Sequence, residues 1–148
     1  MKSGPNSNSE ISQRVAELAS ELIKFQTTRH RPDEIEKCLE FIEGYFDEGF
    51  AVRRFEKNGK PSLVISLEKI REPKILLHSH IDVVEAEEDM FLPQIEDGCL
   101  YGRGSADMKA GVACLMKAMK DLRELEDQPS VALMITSDEE RGGFNGAG

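Results

Sequence analysis

Three stretches with helical apolar spacing enclose four short runs of strand type, and that alternation leaves the chain few folds to choose from. Ile11, Val15, Leu18 and Leu22 recur at intervals of 4, 3 and 4, so one helix is expected there, with Ser9 or Ser12 as its cap. In "RPDEIEKCLEFIEGYFDEGF", Ile35, Leu39, Ile42 and Phe46 repeat the pattern. Pro32 and Asp33 are suited to begin that helix and Gly49 to end it. Met108, Val112, Leu115, Met119 and Leu122 mark a third. The strand-like runs are "FAVRRFE" (50–56), "SLVISLE" (62–68), "KILLHSH" (74–80) and "SVALMIT" (130–136). In the second, Leu63, Ile65 and Leu67 alternate onto one face. "KILL" is continuously apolar, which predicts a strand covered on both sides. A polar segment, 85–98, serves as a connection. The pattern predicts an α/β domain, a layered sheet with helices on both faces, over residues 9–148, preceded by a disordered tail at 1–8.

Charge narrows the partners. With 19 basic and 28 acidic residues the net charge is −9, which disfavours a nucleic-acid backbone or an anionic membrane. No stretch approaches the ~20 apolar residues of a membrane span, and "MKSGPNSNSE" lacks the apolar core of a signal peptide. Cys38, Cys99 and Cys114 are widely spaced with no Cys-x-x-Cys pattern. They read as packing residues in a reducing, cytoplasmic setting.

Polar clusters stand where strand-like runs end, and in layered α/β proteins such places gather functional groups. In "HSHIDVV", His80 and Asp82 leave the same face of extended backbone. That spacing suits an imidazole bound to a metal and steadied by a carboxylate. His78 lies on that face too. A pair of solvent-facing polar residues is the plainer reading. "GRGSADMKAG" joins glycines to Asp107 at the start of the third helix. It could be a simple glycine-rich turn. A dinucleotide loop is disfavoured, because a carboxylate occupies its third position and would repel a pyrophosphate. In "SDEERGG", Asp138, Glu139 and Glu140 would repel one another unless spread into water or bound to cations. Together the clusters supply imidazole and carboxylate donors suited to zinc or a similar first-row ion. Asp107 could bridge two such ions. Glu139 and Glu140, being adjacent, suit a division into one ligand and one base.

"HIDVV", "IEDGCLYGRGSADMKAG" and "TSDEERGGFNGAG", in that order, resemble the co-catalytic zinc hydrolases of the aminoacylase, carboxypeptidase G and succinyl-diaminopimelate desuccinylase family. The resemblance runs from about residue 10 to the end. It implies a zinc-exopeptidase-like catalytic domain holding two zinc ions, with cobalt or manganese as substitutes. Residue by residue, it makes His80 a ligand of one ion, Asp107 the bridge, Glu140 a ligand of the other, Glu139 the general base and Asp82 the residue that orients the site. His78 falls outside that set. Glu85 stands where proline is usual, and the tryptophan many relatives carry is absent, which bears on substrate preference and not on the ligands. The implied activity is hydrolysis of the amide bond of an N-acyl amino acid or small peptide, in a protein that can form a homodimer when full-length. Family members extend well past the length seen here, with a further acidic ligand, a lid domain and a last histidine. The expectation is therefore a partial catalytic domain, inactive alone, with "SVALMIT" left uncovered. The competing reading is a fragment that binds metal or a partner without catalysis.

Overall fold

A computed structural model of the chain describes residues 7–46, 48–67 and 72–146. Of the tail foreseen at 1–8, residues 1–6 lie outside the described residues, as does Glu68 at the end of the second strand-like run. Helix α1 (Ser7–Lys24) begins earlier than its spacing suggested, so Ser9 and Ser12 lie inside it and not ahead of its first residue. Its buried side is Ala19, Leu22 and Ile23, while Ile11 is half exposed. Helix α2 (Pro32–Tyr45) has proline in its first turn, followed by Asp33 and Glu34 where the helix dipole favours anions. It stops at Phe46, which is extended, and Gly49 shapes the following turn. Helix α3 (Ala110–Arg123) starts after Met108 and buries Val112, Met116 and Met119.

Four strands form the sheet in the order β1 (Ala51–Lys57), β2 (Lys60–Ser66), β6 (Val131–Thr136), β3 (Ile75–His80). The β1–β2 hairpin closes on Asn58-Gly59, both at positive φ (52° and 68°), as a two-residue turn between twisted strands requires. β2 and β6 are antiparallel, and β3 lies parallel to β6 with His80 opposite Thr136. The segment read as a plain connection contains a short 3₁₀ turn (Glu88–Phe91) and a small hairpin, β4 (Gln94–Glu96) with β5 (Cys99–Tyr101). Asp97-Gly98 forms its turn, again with positive φ at both residues.

The layered α/β architecture is the one expected, with three corrections. Among the described residues the helices share a single face. Leu22, Leu39 and Met116 all join the core that Leu63, Ile65 and Leu133 make on that side of the sheet. Arg54, on the same side of β1, grips Glu43 with two hydrogen bonds of 2.7 and 2.9 Å, which fastens α2 there. On the other face run Arg53, Val64, Met134 and His78 in register. Second, β3 is an edge strand whose Ile75 and Leu76 are about half exposed, so its unbroken apolar run does not mean cover on both sides. Third, β6 is not left bare. It pairs with a strand on each flank, and Val131, Ala132, Leu133, Ile135 and Thr136 are buried. No helix among the described residues is long and apolar enough to cross a membrane.

Candidate metal centre

Parallel pairing of β3 and β6 brings "HSHID" and "TSDEE" out of the sheet side by side, with Ile81 N–H bonding Thr136 O at 3.0 Å past the last paired residues. His80 and Asp82 are buried there, each 4% exposed. The His80 ring is held at Nδ1, 3.0 Å from the Asp82 carbonyl oxygen and 3.4 Å from Asp82 Oδ1. A carbonyl oxygen only accepts, so Nδ1 carries the proton. Nε2 then faces two further acceptors, Asp107 Oδ1 at 3.2 Å and Glu139 Oε2 at 3.5 Å. In the neutral ring that nitrogen is a lone pair aimed at two carboxylates. The arrangement calls for a cation between them, either a proton on Nε2 or a metal ion.

The charge balance agrees. Burial pushes the His80 imidazole down, but hydrogen bonds and charge from Asp82, with Glu139 adding, outweigh it and raise the pKa to about 9. Glu140 is pushed up, first by burial and then by the charge of Asp107, which places it in the same negative field. Two donors bound to one tetrahedral ion at 2.0–2.1 Å stand about 3.3–3.4 Å apart, and the 3.2 Å between Nε2 and Asp107 Oδ1 lies close to that value. Among the described residues no group of three His, Cys, Asp or Glu side chains is disposed to enclose an ion. His80 and Asp107 thus fit a zinc-like ion as one edge of its coordination shell.

Asp82 does more than steady the ring. Its Oδ1 accepts the Glu139 N–H at 3.1 Å and its Oδ2 accepts the Glu140 N–H at 3.0 Å. One buried carboxylate therefore fixes both the imidazole and the turn that presents the two glutamates. Asp138 turns the other way, inward, where Oδ2 accepts the Asn145 backbone N–H at 2.9 Å. The three consecutive acids thus diverge, Glu139 and Glu140 into water as the sequence suggested and Asp138 into the protein, which it did not. His78 is left out of the cluster and meets Thr136 Oγ1 at 3.1 Å.

Asp107 arrives from the other direction, on a kinked turn (Ser105–Lys109) between β5 and α3. Gly104, at φ +83°, precedes the turn. A Cβ there would lie 2.8 Å from Val83 Cγ1 and 3.1 Å from Lys109 Cδ, so only glycine lets the turn close against the β3 exit. Lys109, read from the sequence as a motif residue without a role, is 0% exposed. Its Nζ donates to the Phe25 carbonyl at 2.6 Å, and burial lowers its pKa to about 8. No sequence signal marked it, because a lysine at a helix start is ordinarily solvated. Beside the cluster opens a cavity of about 420 Å³, lined on the site side by Asp82, Ser137 and Glu140 and elsewhere by Arg29, Lys60 and Arg141.

Comparison with known proteins bears on the chain as a whole. Residues 76–148 match the model of peptidase family M20/M25/M40, which takes in all three clusters. Succinyl-diaminopimelate desuccinylase of Sulfurovum sp. is 32% identical over 130 residues, covering 85% of this chain and 34% of that protein. N-formyl-4-amino-5-aminomethyl-2-methylpyrimidine deformylase of Bacillus subtilis is 32% identical over 126 residues, covering 78% and 30%. The chain thus spans about a third of the length of these curated relatives. Among solved structures, the M20-family metallo-carboxypeptidase Sso-CP2 of Sulfolobus solfataricus superposes with a TM-score of 0.68 at 19% identity, covering 86% of this chain and 31% of the other. Residues 76–148, with both acidic motifs and the end of the histidine strand inside the match, thus carry the signature of the domain of peptidase family M20/M25/M40.

Proposed function

We propose that this chain forms one wall of a metal-dependent amidohydrolase site, which hydrolyses the amide bond of N-acyl amino acids or small peptides. The observation that carries the proposal is the His80 ring, whose Nδ1 proton is committed to Asp82 while Nε2 confronts Asp107 and Glu139. His80 and Asp107 hold the metal, zinc being best suited to their nitrogen and oxygen donors, and Glu140 is the next donor toward a second ion. Bound there, the ion would supply a lowered pKa for water and polarisation of the scissile carbonyl. Glu139 is half exposed, with its backbone N–H held by Asp82 and its carboxylate a loose 3.5 Å from His80, and is free to take a proton at that carboxylate and pass it to the leaving amine. Asp82 positions both sides. Arg29, Lys60 and Arg141 along the adjoining cavity offer positive charge to a substrate carboxylate. Relatives whose names specify removal of succinyl and formyl groups support an amide substrate with a small acyl part. Three free cysteines support a cytoplasmic location, and a homodimer of the longer protein belongs to the same proposal.

A non-catalytic, metal-binding role is the second reading, favoured by the lack of a three-donor group among the described residues. One experiment separates them. The intact gene product, loaded with zinc or cobalt, is assayed on N-succinyl, N-formyl and N-acetyl amino acids and on dipeptides. Metal-dependent release of amine, removed by chelator and restored by metal, is expected. Metal uptake through His80 with no hydrolysis of any amide would establish the second reading.

A further inference from the structure

The four residues after α1 touch both halves of the candidate centre. Thr27 Oγ1 donates to the Ile81 carbonyl at 2.5 Å, and the Val83 N–H donates back to the Thr27 carbonyl at 3.1 Å. These two bonds straddle Asp82. Two residues earlier, the Phe25 carbonyl receives the Lys109 ammonium at 2.6 Å, two positions past Asp107. Thr27, Thr28 and Lys109 are buried, at 0%, 4% and 0% exposure. The lysine stem passes beneath Gly104, beside which Val83 also packs. The same short segment is thus bonded to the backbone that presents His80 and to the turn that presents Asp107. Yet those two come from separate elements, and their side chains meet only across one 3.2 Å contact.

We propose that Phe25–Thr28 and Lys109 form a brace that sets the spacing between His80 and Asp107, with Thr27 and Lys109 as positioning residues that act on the metal through these two donors. The inference rests on the metal role assigned above. A buried ammonium bonded to a carbonyl at a helix C-terminus is a charge-assisted contact, stronger and more directional than a neutral one. It is also hard to explain as packing alone, since an apolar side chain of the same length would fill that space without desolvating a charge.

The test uses Thr27→Val, Thr27→Ser and Lys109→Met in the full chain, read by cobalt titration and by amide hydrogen exchange. Thr27→Val and Lys109→Met should weaken cobalt binding about 10–100-fold, as loss of supporting contacts around metal ligands does. Exchange at the Val83 amide should accelerate about tenfold or more in both, while amides of the β1–β2 hairpin stay unchanged. Thr27→Ser, which keeps the hydroxyl, should restore both. Should Lys109→Met fail to fold, the Thr27 pair decides alone. Cobalt affinity equal to wild type in Thr27→Val, with Val83 exchange unaltered, overturns the brace. If wild type itself takes up no cobalt, the metal reading fails, and the exchange of Val83 still decides whether the brace exists.

Discussion

His80 and Asp82 are each 4% exposed, whereas the acids they face, Asp107 and Glu139, have side chains 75% and 49% exposed. The two sides of the cluster are built by different physics. The imidazole side is fixed by folding itself, because parallel pairing with β6 positions His80 and two backbone N–H groups saturate Asp82. The acidic side is brought near but left in water, where carboxylates retain their hydration and mobility. Folding therefore prepares a rigid nitrogen donor and leaves the oxygen donors free for a cation to order. Function and stability should separate along that line.

The largest separation is expected at Glu139. Glu139→Gln should reduce turnover of the intact enzyme by about 10²–10⁴, with metal content unchanged and melting temperature close to wild type, since its half-exposed carboxylate meets the fold through a loose 3.5 Å contact with His80. Loss of metal in Glu139→Gln, with metal kept in Glu140→Gln, would exchange the roles of the two residues. Asp82→Ala should blur the line instead. It strips the acceptor from two backbone N–H groups and a ring partner from His80, so stability should fall by about 1–3 kcal/mol, together with a loss of about 10–100-fold in metal affinity. A variant that lost metal affinity at full stability would mark Asp82 as a ligand and not a support.

These contrasts also show what could be read from residues alone. Helical spacing located α1, α2 and α3, and four of the six strands followed from apolar runs, because periodicity is local. All five proposed site residues were legible for another local reason, their grouping at run ends, and the resemblance gave each a role. What stayed hidden depends on long-range packing. The continuous "KILL" run does not say whether a neighbour covers it, and Ile75 and Leu76 prove to be about half exposed on an edge strand. Nothing in the motif shows that Lys109 points inward, since its acceptor, the Phe25 carbonyl, lies 84 residues away. The β4–β5 hairpin could have been found from Asp97-Gly98, a turn signal overshadowed by the surrounding polar residues.

A smaller effect probes the outer end of the brace. Glu34 accepts the Gln26 N–H at 3.3 Å and the Lys37 ammonium at 2.7 Å. The bond with Lys37 leads the causes that hold its carboxyl below the usual value. A carboxyl lowered in the fold stabilises it above its unfolded pKa, and that contribution is lost as pH falls through the folded one. Glu34→Gln should therefore lower the melting temperature slightly at pH 7, with the difference from wild type fading in acid. A difference that persists undiminished at the lowest pH would assign the effect to lost shape and not to charge.

The most direct measurement compares thermal unfolding of wild type and Asp107→Asn, each with and without zinc. Because the Asp107 side chain is 75% exposed and its 3.2 Å contact with His80 is open to water, the two metal-free proteins should melt almost together, within the roughly 0–1 kcal/mol of a surface ion pair. Zinc should then stabilise wild type by binding the folded state and leave Asp107→Asn almost unmoved. Equal stabilisation of both by zinc, or a large loss of stability in metal-free Asp107→Asn, would contradict the account of an exposed carboxylate held in place for a cation.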